Sequence, residues 1–243
     1  MPVVIHSRIR NEKFDKLSKK MFLVEKILYR LPQKIQEKIF TEDYTVNERI
    51  FEKGFCFMQI GKFSSRIEKI LDVGCCWSSL PIELASLGFK VWGIDTSEYF
   101  LNHPNFTFMN GDVCSAPFSD CFFDLVTAIS TVEHIGLGHY QDPEMADGDF
   151  RAAAEIQRIL KPKGLFILTL PYGEPMITPV FRIYDEKRLT RLTKYFQVLE
   201  AKYWINYRDL YWKPASRQEV EKQGINERGH NAGNVTLLLE KID

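Results

Sequence analysis

The segment from residue 70 to residue 95 restricts the fold more than any other part of the chain. Ile70-Leu71-Asp72-Val73 is a short apolar run that stops at Gly74. Ser78 and Ser79 stand where a helix is capped, Pro81 suits a first turn, and Gly88 ends the amphipathic stretch 79–87. A second apolar run, Val91-Trp92-Gly93-Ile94, ends in Asp95 about twenty residues after Gly74. A strand, a helix and a strand at this spacing set two strand tips side by side. Gly74 then lets the backbone approach a ligand, and Asp95 can accept hydrogen bonds from two ribose hydroxyls. Taken separately, Gly74 also reads as a plain turn glycine and Asp95 as a helix cap.

The same alternation continues along the chain. Residues 107–109, 124–129 and 165–170 read as further buried strands, residues 148–160 as a helix, and residues 198–204 and 235–240 as two late strands. This pattern predicts an α/β fold, a Rossmann-like doubly wound and mostly parallel seven-stranded sheet. Before residue 66 the pattern is helical. Phe14, Leu17, Met21, Val24, Ile27, Leu28 and Leu31 recur at three- and four-residue spacing up to Pro32, and two more helical stretches follow at 33–40 and 46–63. The expected organisation is a helical N-terminal cap over residues 1–66 and a ligand-binding domain over residues 67–243.

Charge is balanced overall but unevenly placed. Residues 1–40 hold ten bases and four acids, whereas residues 72–155 hold thirteen acids and two bases. An acidic centre repels phosphate backbones, so no nucleic-acid partner is expected. The basic arm reads as a solvated helix face, with an anionic substrate or membrane surface as the other reading. No apolar run approaches the roughly 20 residues of a transmembrane helix, and the early charges do not suit a secretory signal. Five cysteines without a Cys-x-x-Cys pair suggest reduced thiols and a cytoplasmic setting.

A dinucleotide fold wants Gly-x-Gly-x-x-Gly, but Cys76 and Ser79 occupy the second and third glycine positions, a poor seat for pyrophosphate. The ordered set Asp72-Val73-Gly74-Cys75, Gly93-Ile94-Asp95, Gly111-Asp112-Val113, Pro117-Phe118 with Phe123-Asp124, Ser130-Thr131-Val132-Glu133-His134 and Arg158 to Gly164 resembles the motifs of class I S-adenosylmethionine-dependent methyltransferases. The resemblance covers residues 68–172 and points to the ubiquinone- and menaquinone-biosynthesis branch, near an uncharacterised bacterial methyltransferase-like subgroup. It implies S-adenosyl-L-methionine as cofactor. Gly74, Cys75 and Cys76 would line its methionine portion, with Asp72 holding the loop. Asp95 and Thr96 would lie at the ribose, Asp112 and Val113 at the adenine, and Ser130 and Thr131 between donor and acceptor. Cys76 departs from the family's second glycine and narrows the loop. Cys75 and Cys76 also read as small buried fillers.

Methyl transfer from a sulfonium needs alignment, exclusion of water and sometimes a base. His134, Glu133 and His139 are the candidates, in a loop leaving the carboxyl end of the fourth strand. Glu133 and His134 read equally as loop anchors. Some relatives hold a metal with Glu-x-x-Glu-His here, but Ser130 replaces the first Glu, so no metal is expected. Tyr172, Arg182 and Tyr184 are candidates for gripping the acceptor, as is the aromatic stretch 203–212. The paired acid-and-proline motif of many N-methyltransferases is missing, which favours a hydroxyl of a small molecule or glycan. A non-catalytic donor-binding protein and a nicotinamide-dependent oxidoreductase or epimerase are the alternatives.

Overall fold

Each apolar run becomes a strand, because a turn residue ends it before a helical period can develop. The computed structural model describes residues 48–140, 142–207, 211–226 and 229–242. One sheet holds β1 (Lys69–Val73), β2 (Lys90–Asp95), β3 (Phe106–Asn110), β4 (Phe123–Ile129), β5 (Leu160–Pro171), β8 (Phe196–Tyr207), β9 (Tyr211–Ala215) and β10 (Gly233–Lys241). Its order is β3-β2-β1-β4-β5-β10-β8-β9, and β6 (Met176–Ile177) and β7 (Arg182–Ile183) form a separate hairpin. The first five strands pair in parallel and the last three add antiparallel. The chain order reverses between β1 and β4, which opens a crevice at their carboxyl ends.

All seven expected strands are present, and β9 adds an eighth at the edge. Its first two residues, Tyr211 and Trp212, end the aromatic stretch 203–212. Phe51 stacks on Trp204 with centroids 4.4 Å apart and lies 5.2 Å from Trp212. Those two rings therefore pack against Phe51, a packing role that the aromatic stretch reads as equally well as acceptor binding.

Helices cover both faces. On one, α1 (Arg49–Phe63) and α2 (Leu80–Ser86) bury Phe55, Ile60, Leu80 and Leu84 against Ile70, Leu125 and Ile167. On the other, α3 (Gly148–Ile159) and α4 (Glu186–Leu192) bury Ala152, Ile156 and Leu189 against Val126, Phe166 and Leu168. Adjacent residues of β4 and β5 thus enter opposite cores, which is why those strands read as unbroken apolar runs. A one-turn helix, α5 (Arg217–Val220), precedes β10.

One expectation about the N-terminal region changes. The helices expected within residues 14–40 lie outside the described residues. The unit containing the sheet begins at Val46, and α1 buries its apolar stripe in the core. The boundary proposed at residue 66 therefore falls inside this unit, and α1 belongs with the sheet. Among the described residues, no helix is long and apolar enough to cross a membrane.

Local capping follows the sequence in part. Ser78 Oγ accepts the Leu80 N–H at 3.1 Å, and Asp185 accepts the Arg188 N–H at 2.8 Å. At α3 the residue before the helix is Asp147, whose side chain makes no capping bond and instead pairs with Arg151.

Candidate functional site

A cavity of about 300 Å³ opens at the carboxyl ends of β1, β2, β3 and β4. Gly74, Cys76, Asp95, Thr96, Asp112, Val113, Ser130, Thr131 and His134 line it, so the sequence candidates converge. Its size falls in the range of small-molecule sites.

Gly74 is obligatory for two reasons. Its φ is +73°, and a Cβ built there would stand 2.3 Å from Thr131 Cγ2. The Thr131 hydroxyl donates to the carbonyls of Val73 and Ile129 at 3.2 and 3.1 Å, which keeps that side chain over the glycine. Asp95 is held by backbone: Oδ2 accepts the Cys76 N–H and Oδ1 the Ser97 N–H, each at 2.8 Å. Position 76 thus uses its backbone N–H to orient the carboxylate, a task that any residue but proline performs. Asp112 lines the far end of the cavity, and its Oδ1 accepts the Cys114 N–H at 2.9 Å.

Two candidate donor residues lie outside the cavity. Cys75 is fully buried, and its Sγ lies 2.7 Å from where Gly93 would carry a Cβ, so it is a core filler. Asp72 is buried as well and accepts the Thr127 hydroxyl at 2.6 Å, tying β1 to β4 rather than holding the loop. Burial pushes its carboxyl up to about 7. The folded value lies above the ordinary one, so the folded state binds the proton more tightly. The resulting stability is complete below about pH 4 and is lost as pH rises through about 7. Asp72→Asn is expected to cut the loss of unfolding free energy between pH 5 and pH 8 by about 3 kcal/mol. Urea unfolding at both pH values checks this, and an identical loss in variant and parent would contradict it.

The loop after β4 is tightly built. Ser130 has φ +44°, and its hydroxyl donates to Glu52 Oε1 at 2.6 Å. Gly136 has φ +82°, and a Cβ there would lie 2.2 Å from the Met145 carbonyl oxygen. Asp142 accepts the N–H groups of Gly136 and Tyr140, which folds the loop back over the cavity rim. His134 Nδ1 lies 2.6 Å from the Val180 carbonyl oxygen. A carbonyl only accepts, so Nδ1 carries the proton and Nε2 holds the lone pair of the neutral ring. Burial lowers the pKa of His134 and keeps it neutral. Glu133 sits outside the cavity, 2 % exposed, with Oε1 3.7 Å from His134 Nε2. Burial holds its carboxyl well above the usual carboxylate range. His139 is exposed beside Tyr140 and does not line the cavity.

The three acceptor candidates turn away from the cavity. Arg182 is buried and donates through one NH group to the carbonyls of Ile135 and Glu133, at 2.7 and 3.2 Å. Tyr184 donates to Asp149 Oδ2 at 2.9 Å inside the core beneath α3. Tyr172 is buried, with its hydroxyl 3.3 Å from Glu221 Oε1. Tyr172 and Tyr184 bridge in parallel, so segment 182–184 runs along the sheet and buries these side chains in the core. Arg182 still serves the site indirectly by fixing the loop that carries His134.

Sequence reasoning missed Arg49, Trp77, Ser97, Tyr140 and Asp142, all of which line the cavity. Ser97 follows directly from the Asp95 turn. Trp77 has φ +63° and is 96 % exposed at the mouth.

Residues 71–168 match the family described as methyltransferase domain. Solved structures align with the chain over most of their length. An S-adenosylmethionine-dependent methyltransferase from Methanosarcina mazei is 18% identical, covers 76% of this chain and 97% of its own, and gives a TM-score of 0.52. The fold is that of the class I methyltransferases.

The 1,6-didemethyltoxoflavin N1-methyltransferase of Burkholderia thailandensis, bound to 1,6-didemethyltoxoflavin and S-adenosylhomocysteine, is 13% identical with a TM-score of 0.53. That alignment covers 100% of this chain and 94% of the other. The N-methyltransferase NodS of Bradyrhizobium japonicum, in complex with S-adenosylhomocysteine, is 13% identical with a TM-score of 0.54, covering 84% and 92%. At these identities the likeness concerns the methyltransferase fold. Among curated proteins, none matches the sequence.

Proposed function

We propose that the protein is an S-adenosylmethionine-dependent methyltransferase that methylates a hydroxyl of a small molecule or glycan. The observation that carries this reading is the single cavity joining Asp112, Asp95, Gly74, Thr131 and His134 across four strand tips. Three carboxylates, Asp95, Asp112 and Asp142, line it. They favour a sulfonium cation and oppose a pyrophosphate, which argues against the nicotinamide reading.

When bound, S-adenosylmethionine supplies an electrophilic methyl group. The chain contributes binding, alignment and a base. Asp95 would accept the ribose hydroxyls, Asp112 the adenine amino group, and the bare backbone at Gly74 would receive the methionine part. His134 Nε2 would take the proton from the acceptor hydroxyl, while Val180 and the Gly136–Asp142 turn keep the ring in place. Glu133, whose Oε1 lies 3.7 Å from the same Nε2, is kept towards its neutral form by burial. All five cysteines are free thiols, in keeping with a cytoplasmic setting.

The motif resemblance to the quinone-biosynthesis branch makes phenolic quinone precursors the first acceptors to try, followed by sugars. Release of S-adenosylhomocysteine, with a matching gain of one methyl mass in the acceptor, tests the reading. His134→Gln is expected to lower kcat by about 10²–10⁴-fold with donor affinity unchanged. In the parent enzyme the acid limb of kcat is expected below about pH 6.5, because burial lowers the His134 pKa. No turnover with any acceptor beside intact donor binding would favour a non-catalytic binding protein.

A further inference from the structure

His134 offers two ring nitrogens, and only the unprotonated one can take a proton from an acceptor. Free histidine prefers to carry its proton on Nε2. Here that preference is reversed, because Nδ1 lies 2.6 Å from the Val180 carbonyl oxygen. A lone pair on Nδ1 would set two acceptors against each other at that distance. The proton therefore stays on Nδ1, and the ring, which lines the cavity, keeps its lone pair on Nε2.

The carbonyl that imposes this belongs to a turn outside the cavity, Thr178-Pro179-Val180-Phe181, between β6 and β7. Thr178 Oγ1 accepts the N–H groups of Val180 and Phe181 at 3.1 and 2.9 Å. The Thr178 N–H and hydroxyl donate to the Phe181 carbonyl at 2.9 and 2.8 Å. Pro179 has no N–H to satisfy, and its ring fixes φ. The turn thus satisfies its N–H groups internally, and the Val180 carbonyl is placed without help from the histidine. Arg182 fastens the turn to the catalytic loop. Its backbone N–H and NH1 both donate to the Glu133 carbonyl at 3.2 Å, and NH1 donates to that of Ile135 at 2.7 Å. One buried arginine so holds the residues on either side of His134.

We propose that the Thr178–Phe181 turn sets the tautomer of His134, with Thr178 as a positioning residue for the reacting nitrogen. The proposal rests on the reading of His134 as the base. The charged and titratable groups facing the ring are Glu133, His139 and Asp142 of its own loop and Arg49 of α1. The partner of Nδ1 is the uncharged Val180 carbonyl, so the turn rather than a charge decides which nitrogen is protonated.

Nitrogen NMR of the full chain with isotope-labelled histidine rings tests this, and His134→Gln identifies the His134 signals by their loss. In the parent, the neutral ring is expected to carry its proton on Nδ1. In Thr178→Val the ratio of Nε2–H to Nδ1–H rings is expected to rise about 3- to 10-fold, the worth of one hydrogen bond. The ring is also expected to titrate at lower pH, because the Val180 carbonyl favours its charged form. Thr178→Ser keeps the oxygen and is expected to restore the parent spectrum. If Thr178 served stability alone, Thr178→Val would unfold more easily and leave tautomer and titration where they are. That result, or a parent ring protonated on Nε2, would overturn the proposal. A locked tautomer in a chain that transfers no methyl group to any acceptor would instead overturn the reading of His134 as base.

Discussion

Asp149→Ala is expected to destabilise the protein by about 3–5 kcal/mol, the usual cost of removing one partner from a buried ion pair. Asp149 is fully buried, and a single oxygen, Oδ2, receives three donors. Arg188 donates twice, at 3.0 and 2.8 Å, and Tyr184 once, at 2.9 Å. The Arg188 side chain is 23 % exposed and lies over the Phe150 ring. After the change its guanidinium reaches some water, whereas the Tyr184 hydroxyl, fully buried, reaches none. Asp149→Asn keeps an acceptor oxygen while removing the charge, and should fall between parent and alanine variant. Urea unfolding measures all three. A loss under about 1 kcal/mol for the alanine variant would place this pair with weak surface ion pairs.

Gly74→Ala is expected to cost about 2–4 kcal/mol of stability and to weaken donor binding at least tenfold. Two terms act together. The left-handed backbone strains any residue with a Cβ, and that Cβ would also meet Thr131 at 2.3 Å. Thr131 would have to leave the carbonyls it holds, which disturbs the cavity wall on the acceptor side. Gly88→Ala is the control. Gly88 has φ +97° with nothing within 4 Å of a built Cβ, so only the backbone term remains, about 1 kcal/mol. Equal effects at the two positions would mean that the Thr131 contact is readily relieved.

The donor half of the site was legible because its signals are local. A buried parallel strand is a continuous apolar run, and a glycine or aspartate at its end marks the tip. Gly74 and Asp95 therefore emerged from spacing, and Asp112 from the motif resemblance. Neighbouring side chains on an extended segment point in opposite directions, and here single residues were harder to place. Cys75 is buried while Cys76 lines the cavity. Tyr172 and Tyr184 lie near the right strand ends but enter the core. Arg49 had no local signal, since its contact with Ile129 spans 80 residues. Asp142 is one of four acids between residues 142 and 149, and the turn that sets it apart depends on Gly136 packing against Met145 and Gly148.

On the proposed function, the crevice at the β1–β4 tips holds S-adenosylmethionine. Titration calorimetry of the parent protein and Asp95→Ala, each with S-adenosylhomocysteine and with NAD, tests it most directly. Saturable binding of S-adenosylhomocysteine and none of NAD is expected, with Asp95→Ala weakening the former by about 1–3 kcal/mol. Binding of NAD without a response to S-adenosylhomocysteine, or an affinity unaffected by Asp95→Ala, would contradict it.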